Sequence, residues 1–515
     1  MRTSYFHNLA IIPLITIVAC APLYNDSPVV ISDSPAPLRL FLQQVGSHSA
    51  IIKWRGVANQ ACWSSKKDGL SRAQCKAGDL TEGNHQEVLI NNLAADTDYV
   101  YSIGDYTNDS LRFRTAPLRG QLPSDGSIHF WILGDSGTES APVIQGHSNK
   151  GKAAKTRDGY ESYREKNNSK PTDFILMLGD NAYLEGTDKE WQVAVFEVFT
   201  NALSQAAVYS TIGNHEMGAG IINAAHLQEK YPGLVNEQNN DLWLGGVSTS
   251  SDPNAYVTVE NRIPRGIPYL DILTLPKDGE LGGQASGTEQ YYSFDYGNVH
   301  VVSLDSQLSA RDEQQRLTMR KWLVSDLLNN DLDWTIIIFH HPVYTKGSHD
   351  SDTIAASQLG IDQPIINLRH EFTPIFENYG VDLVFSGHSH SYERSWYLHG
   401  HRGDASDFNS TQHAELNVEG KPASGFGKET YQQFSTSSQR DNRVVYTVAG
   451  SSGHVSTGGG ELNHPAHAIQ QNDPQLRHGL AEQGSVVVDA NQNELIARFI
   501  NEKGVILDTV VIQRD

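Results

Sequence analysis

Cysteine is scarce, with three in 515 residues. Neither Cys62 nor Cys75 has a second cysteine or a histidine at zinc-finger spacing, which excludes a zinc-finger domain. Cationic side chains are short as well, 39 Lys and Arg against 60 Asp and Glu, for a net charge of -21. Such a chain repels polyanions, so non-specific nucleic-acid binding is excluded. A small anionic substrate would need local positive charge, and bound metal ions are one source of it. No apolar run reaches the roughly 18 residues that a spanning helix requires, and no internal repeat is present. At 515 residues the chain exceeds one ordinary core, and two or more domains are expected.

The first segment reads as an export signal. Arg2 opens it, and Leu9 to Ala19 is almost wholly apolar but too short to span a bilayer. Its end, Ile17-Val18-Ala19-Cys20, resembles the lipobox of bacterial lipoproteins, which implies cleavage before Cys20 and a lipid on that cysteine. The chain is then expected to be exported and held at a membrane only by that anchor, on the periplasmic or cell-surface side, or to be secreted. In an oxidising compartment the two remaining cysteines, Cys62 and Cys75, are expected to pair as one structural disulfide.

Residues 21–36, rich in Pro, Ser and Asp, read as a tether. From 37 to 117 short strands alternate with turn signals: Ala50 to Trp54, Gln86 to Ile90, and the aromatic stretch through Tyr99-Val100-Tyr101. The close, Phe113-Arg114-Thr115-Ala116-Pro117, resembles the end of a fibronectin type III module, and a small all-β sandwich is expected. From 125 to 515 the texture becomes α/β, with apolar strands alternating with helical stretches. Asp312 to Asn329 is expected to be a helix facing Leu317, Trp322, Leu323 and Leu327 inward. Val444 to Val448, Gly484 to Val488, Glu494 to Ile500 and Val505 to Ile512 read as an antiparallel finish to the sheet. Stretches 233–290 and 400–441 carry no convincing period and receive no role.

Five strands of the α/β region run into conspicuous polar residues. Ile128 to Leu133 ends at Asp135, Phe174 to Leu178 at Asp180 and Tyr183, and Val208 to Ile212 at Asn214, His215 and Glu216. Trp334 to Phe339 ends at His340 and His341, and Val381 to Phe385 at Gly387-His388-Ser389-His390. Open α/β sheets bind ligands beyond the carboxyl ends of their strands, which is where these residues fall. One Gly-Asp or one His-x-His is usually a turn or an ordinary loop, but five such ends in one region point to a site. The set Asp135, Asp180, Tyr183, Asn214, His340, His388 and His390 mixes oxygen and nitrogen with no thiolate. That excludes iron–sulfur and structural zinc sites and suits first-row metals used as Lewis acids. Seven donors suit two ions sharing a carboxylate, an arrangement able to clamp a phosphoryl group in transfer.

In order, Asp135 with Gly137, Gly179-Asp180-x-x-Tyr183, Gly213-Asn214-His215-Glu216, His340 and Gly387-His388-x-His390 resemble the blocks of calcineurin-like metallophosphoesterases. Tyr183, the continuation Ser391-Tyr392-Glu393-Arg394-Ser395 and the fibronectin-like module narrow the resemblance to purple acid phosphatases. The resemblance implies a four-layer α/β/β/α catalytic sandwich behind the β-module. It implies Fe(III) on Asp135, Asp180, Tyr183 and His390, and a divalent Zn, Mn or Fe(II) on Asp180, Asn214, His340 and His388. His340 is preferred to His341 because it ends the strand. His215 is implied to bond the phosphate or protonate the leaving alkoxide, and His349 to face the substrate. Tyr392, Glu393 and Arg394 are expected to be structural, and Gly450 to His454 could line the pocket. The expected activity is attack of metal-bound hydroxide on a small phosphate monoester. A diesterase or nucleotide-cleaving enzyme of the same fold is the alternative, and a surface binding protein with a vestigial site is the third reading.

Overall fold

The computed structural model describes residues 36–141, 143–144, 147–183, 186–217, 268–352, 362–434, 441–468 and 479–514. The signal segment, Cys20, the tether up to 35 and much of the stretch 233–290 lie outside the described residues. Among those described, no helix is long and apolar enough to cross a membrane.

Two large sheets make up the α/β region. In the first, Ile128–Leu133, Phe174–Met177 and Ala207–Ser210 run parallel, and the first of these also pairs antiparallel with Gly484–Ala490. In the second, Val299–Ser303, Trp334–Ile338, Leu383–Ser386 and Val444–Ala449 run parallel, edged by antiparallel Tyr292–Tyr296 and Tyr392–Leu398. Alternation of side chains along each strand decides which face meets what. Phe130, Ile132, Phe174 and Tyr209 of the first sheet share one core with Phe294, Val301, Ile336, Ile338, Leu383 and Phe385 of the second. Tyr209 and Phe294 stack between them at 3.8 Å. The odd-numbered Trp131 turns outward and stacks at 4.2 Å on Tyr160 of the helix Lys152–Asn167. Val302, Ile337 and Val384 turn outward on the other side, into a second core with the helices Glu313–Asn329 and Gln363–Glu371. The layers are therefore α/β/β/α.

Two details differ from the sequence reading. Along Glu313–Asn329 the buried positions are Gln315, Met319, Trp322, Leu323, Asp326 and Leu327, whereas Leu317 is 39% exposed. Leu317 falls between the 3.6-period positions of that stripe and so points to solvent. Val444–Ala449 does not join the closing antiparallel strands; it inserts into the second sheet, parallel to Leu383–Ser386. Gly484–Ala490, Glu494–Asn501 and Ile506–Arg514 do form the antiparallel finish of the first.

The N-terminal β-region is built into this frame. Leu38–Gln43, Ser49–Arg55 and Gln86–Asn91 form one face, and Gln74–Ala77, Gln60–Ser65, Asp98–Ile103 and Arg112–Arg114 the other. Cys62 and Cys75 are disulfide-bonded across two paired strands. Leu42 pairs in parallel with Ala207, so the first sheet continues without a break into the β-region. Phe41 packs 5.1 Å from Phe196, and the Tyr101 hydroxyl donates to the Ser204 carbonyl at 2.7 Å. Arg39 and Arg55 converge on Asp188, at 2.7 and 2.6 Å.

Candidate metal centre

The ends of parallel strands from both sheets converge. Asp135, Asp180, Tyr183, Asn214 and His215 follow the strands of the first sheet, and His340, His388 and His390 follow those of the second. All seven metal-donor candidates are buried, His390 being the most open at 9%. Three of them sit in the left-handed backbone region: Asp135 (φ 54°), Asp180 (φ 53°) and His388 (φ 67°). That conformation costs about 1–3 kcal/mol at a non-glycine residue and concentrates at functional sites. The glycines beside them let the turns close: a Cβ on Gly387 would strike the Asp135 carboxylate, and one on Gly213 would strike Asp180.

Two groups of donors face each other across Asp180. On one side the Tyr183 hydroxyl lies 3.0 Å from Asp180 Oδ2, 3.3 Å from Asp135 Oδ1 and 3.3 Å from His390 Nε2. On the other, His340 Nε2 lies 3.4 Å from the same Asp180 Oδ2, 2.9 Å from Asn214 Oδ1 and 3.2 Å from His388 Nδ1. His340 Nδ1 bonds the Leu178 carbonyl at 2.8 Å, which fixes its ring with Nε2 toward the cluster. His341 is held differently: its Nδ1 bonds Ser306 Oγ at 2.9 Å, while its ring lies 4.4 Å from the His388 ring. The alternation of the strand end thus separates the adjacent histidines. His388 and His390, two residues apart, also separate, because the left-handed turn at His388 breaks the extended geometry that would aim both one way.

His215 stands at the rim, its ring 4.3 Å from Tyr183 and its Nε2 4.0 Å from Asp180 Oδ2, with its backbone N–H donated to Asp180 Oδ1 at 2.8 Å. His349 lies over His388, ring centroids 3.7 Å apart.

Burial sets the protonation of this cluster. It lifts Asp135 to about 7, with Asp180 adding to the effect. Burial alone would raise Asp180 too, but His340 and His215 hold it well below the usual carboxylate range. Burial would lower His340, yet the Asp180 carboxylate beside it carries it up to about 9. The Tyr183 phenol is pushed well up by burial between two carboxylates. His390 is driven down to about 3 and His388 well below its ordinary range, again by burial first. A cation would find His388 and His390 neutral and would displace the protons held by His340 and Asp135, so the donor chemistry fits metal ions.

Four further residues surround the cluster; the sequence reading named Glu216 within a block and offered Gly450 to His454 as pocket lining, and it missed Asp362. Glu216 accepts the backbone N–H groups of Asp180, Asn181 and Gly213 at 2.6–2.8 Å and so ties the Asp180 turn to its own. Gly450 backs the Asp135 carboxylate, and His454, whose Nδ1 lies 2.7 Å from Asn149 Oδ1, sits 4.9 Å from the His390 ring. Asp362 bonds His349 and His388. Its only local signal is an aspartate before Gln-Pro, which marks a helix start and nothing about a site.

Two facing sheets whose strand ends gather carboxylates, a phenol, an amide and imidazoles define a metal-dependent phosphoesterase architecture. The chain belongs to the calcineurin-like phosphoesterase family, which it matches over residues 128–392. Purple acid phosphatase 22 of Arabidopsis thaliana is 24% identical over 350 residues, covering 66% of this chain and 61% of the relative. Purple acid phosphatase 18 of the same plant is 28% identical over 158 residues, covering 29% of this chain and 32% of the relative. The purple acid phosphatase PPD1 from yellow lupin (Lupinus luteus) seeds shares the fold at a TM-score of 0.57 and 16% identity, over 93% of this chain and 75% of that one.

Proposed function

We propose that the protein is a dinuclear-metal phosphohydrolase that cleaves small phosphate monoesters. One observation carries this reading: Asp180 Oδ2 lies within 3.4 Å of both Tyr183 and His340, so one carboxylate oxygen joins two separate donor groups. Asp135, Tyr183 and His390 with Asp180 would hold Fe(III), since hard, largely anionic oxygen donors favour a trivalent ion. Asn214, His340 and His388 with Asp180 would hold Zn, Mn or Fe(II). When bound, such a pair neutralises phosphate charge and makes water nucleophilic at ordinary pH. His215, part-exposed at the rim, would bond the phosphate or hand a proton to the leaving alkoxide. His349 would face the substrate beside it. The disulfide Cys62–Cys75 supports an oxidising compartment and with it export, and the lipobox-like Ile17-Val18-Ala19-Cys20 supports lipid attachment at Cys20. The β-region, read as a fibronectin type III-like module, would act as scaffold.

The test is metal analysis and turnover on purified protein. Expected are two metals per chain, one of them iron, a violet colour from tyrosinate-to-iron charge transfer, and hydrolysis of an aryl phosphate monoester faster than of its bis-ester. Asp180→Asn and His388→Ala should each lower turnover by about a hundredfold or more. A folded, colourless, iron-free protein would remove the iron assignment, and full activity in His388→Ala would remove the site. Preference for the bis-ester would favour the diesterase. The mass of the mature N-terminus should show a lipid on Cys20; an unmodified Met1 would exclude the anchor.

A further inference from the structure

Asp362 occupies the N-cap of the helix Gln363–Glu371, where an aspartate ordinarily accepts the N–H groups of its own first turn. Here its side chain makes no capping bond. One oxygen, Oδ1, instead accepts from two imidazoles, His349 Nδ1 at 3.0 Å and His388 Nε2 at 2.8 Å. Capping stabilises a helix, so this orientation forgoes a local gain for a contact 26 residues away.

The consequence for His388 is directional. A neutral imidazole carries one N–H, and the carboxylate claims it at Nε2. The lone pair is then left on Nδ1, the atom 3.2 Å from His340 Nε2 and within the Asp180–His340–His388 group. The backbone is fixed from the other side, since the His388 N–H donates to both Asp135 oxygens at 2.9–3.0 Å. The His349 ring, held by the same carboxylate oxygen, covers the His388 ring at 3.7 Å.

We propose that Asp362 is the positioning residue of the second donor group: it fixes the tautomer and ring orientation of His388, and the placement of His349, so that Nδ1 of His388 is presented to a divalent cation. The proposal rests on the dinuclear reading above. A carboxylate behind a ligating histidine typically changes metal affinity ten- to a hundredfold when removed.

The experiment uses the full chain and its Asp362→Asn and Asp362→Ala variants, stripped by chelator and titrated with Zn(II) alone, then with Mn(II) alone. The weaker-held divalent equivalent should bind about ten- to a hundredfold less tightly in both variants, while the iron content of the protein as purified, before stripping, and its thermal unfolding midpoint stay at wild-type values. Wild-type affinity for the divalent ion in both variants would overturn the proposal. So would a wild type that binds three ions and variants that bind two, because Asp362 would then be a ligand with His349 and His388. A wild type that takes up no divalent ion would instead bring down the dinuclear reading, and this inference with it.

Discussion

His300 is a buried imidazole between two carboxylates, Nδ1 at 2.7 Å from Asp295 and Nε2 at 2.8 Å from Asp326, with Arg119 on the far oxygen of Asp295 at 2.7 Å. Burial alone would lower it, but the two hydrogen-bonded aspartates lift it from 6.5 to about 9. A folded-state value above the unfolded one means that its contribution is fully present below pH 6.5 and lost as pH rises through 9. That contribution is about 3 kcal/mol. Urea unfolding at pH 6 and at pH 9.5 should therefore show a drop of that order in the wild type that is missing in His300→Gln; equal drops in both would refute it. At this same scale the donors of the site were legible in sequence, because each closes an apolar strand and carries its chemistry in its own side chain. Asp362 was not legible, and His454 was legible only as pocket lining, without its contact to His390. Their meaning lies in partners 26 and 64 residues away, and only the packed loops bring them together.

Among the elements, the connection after Tyr183 is held from outside the catalytic region. Asp188 opens the short helix Asp188–Trp191 under a Thr187/Glu190 capping box, and its carboxylate receives Arg39 and Arg55. The Arg39 side chain is fully buried, so removing its partner leaves an unpaired charge away from water. Asp188→Ala should cost about 3 kcal/mol in urea unfolding. Asp68→Ala breaks the exposed pair with Arg72 and should cost under about 0.5 kcal/mol. Similar losses in the two variants would show that burial is not what gives the Asp188 cluster its weight. The strands that end in donors were readable within two residues because they are apolar on both faces, whereas Tyr292–Tyr296, Val299–Ser303 and Tyr392–Leu398 of the second sheet were not read. The inward face of Glu313–Asn329 was only partly readable: Gln315 and Asp326 take core positions that a hydrophobicity pattern assigns to apolar residues.

For the whole molecule, the α/β class was legible from the alternating texture and the α/β/β/α layering only from the family resemblance, whereas the fusion of the β-region to it was not legible. Nothing local in Leu38–Gln43 announces a parallel partner at Ala207. Removing residues up to 117 would open the Ala207–Ser210 strand as an edge and bare Phe196, which packs on Phe41. Such a truncation should be recovered as aggregate in size-exclusion chromatography; a monodisperse fragment with an unchanged unfolding midpoint would show that the catalytic sheet is complete without the β-region.

That shared sheet also sets an order of events at the ribosome. The pairing partner of the first strand lies 165 residues further along, about ten to thirty seconds of synthesis at the usual ~5–20 residues per second. For that interval the outer edge of Leu38–Gln43 is an open template for any extended chain nearby. A nascent protein built this way depends on whatever shields that edge until residue 207 emerges.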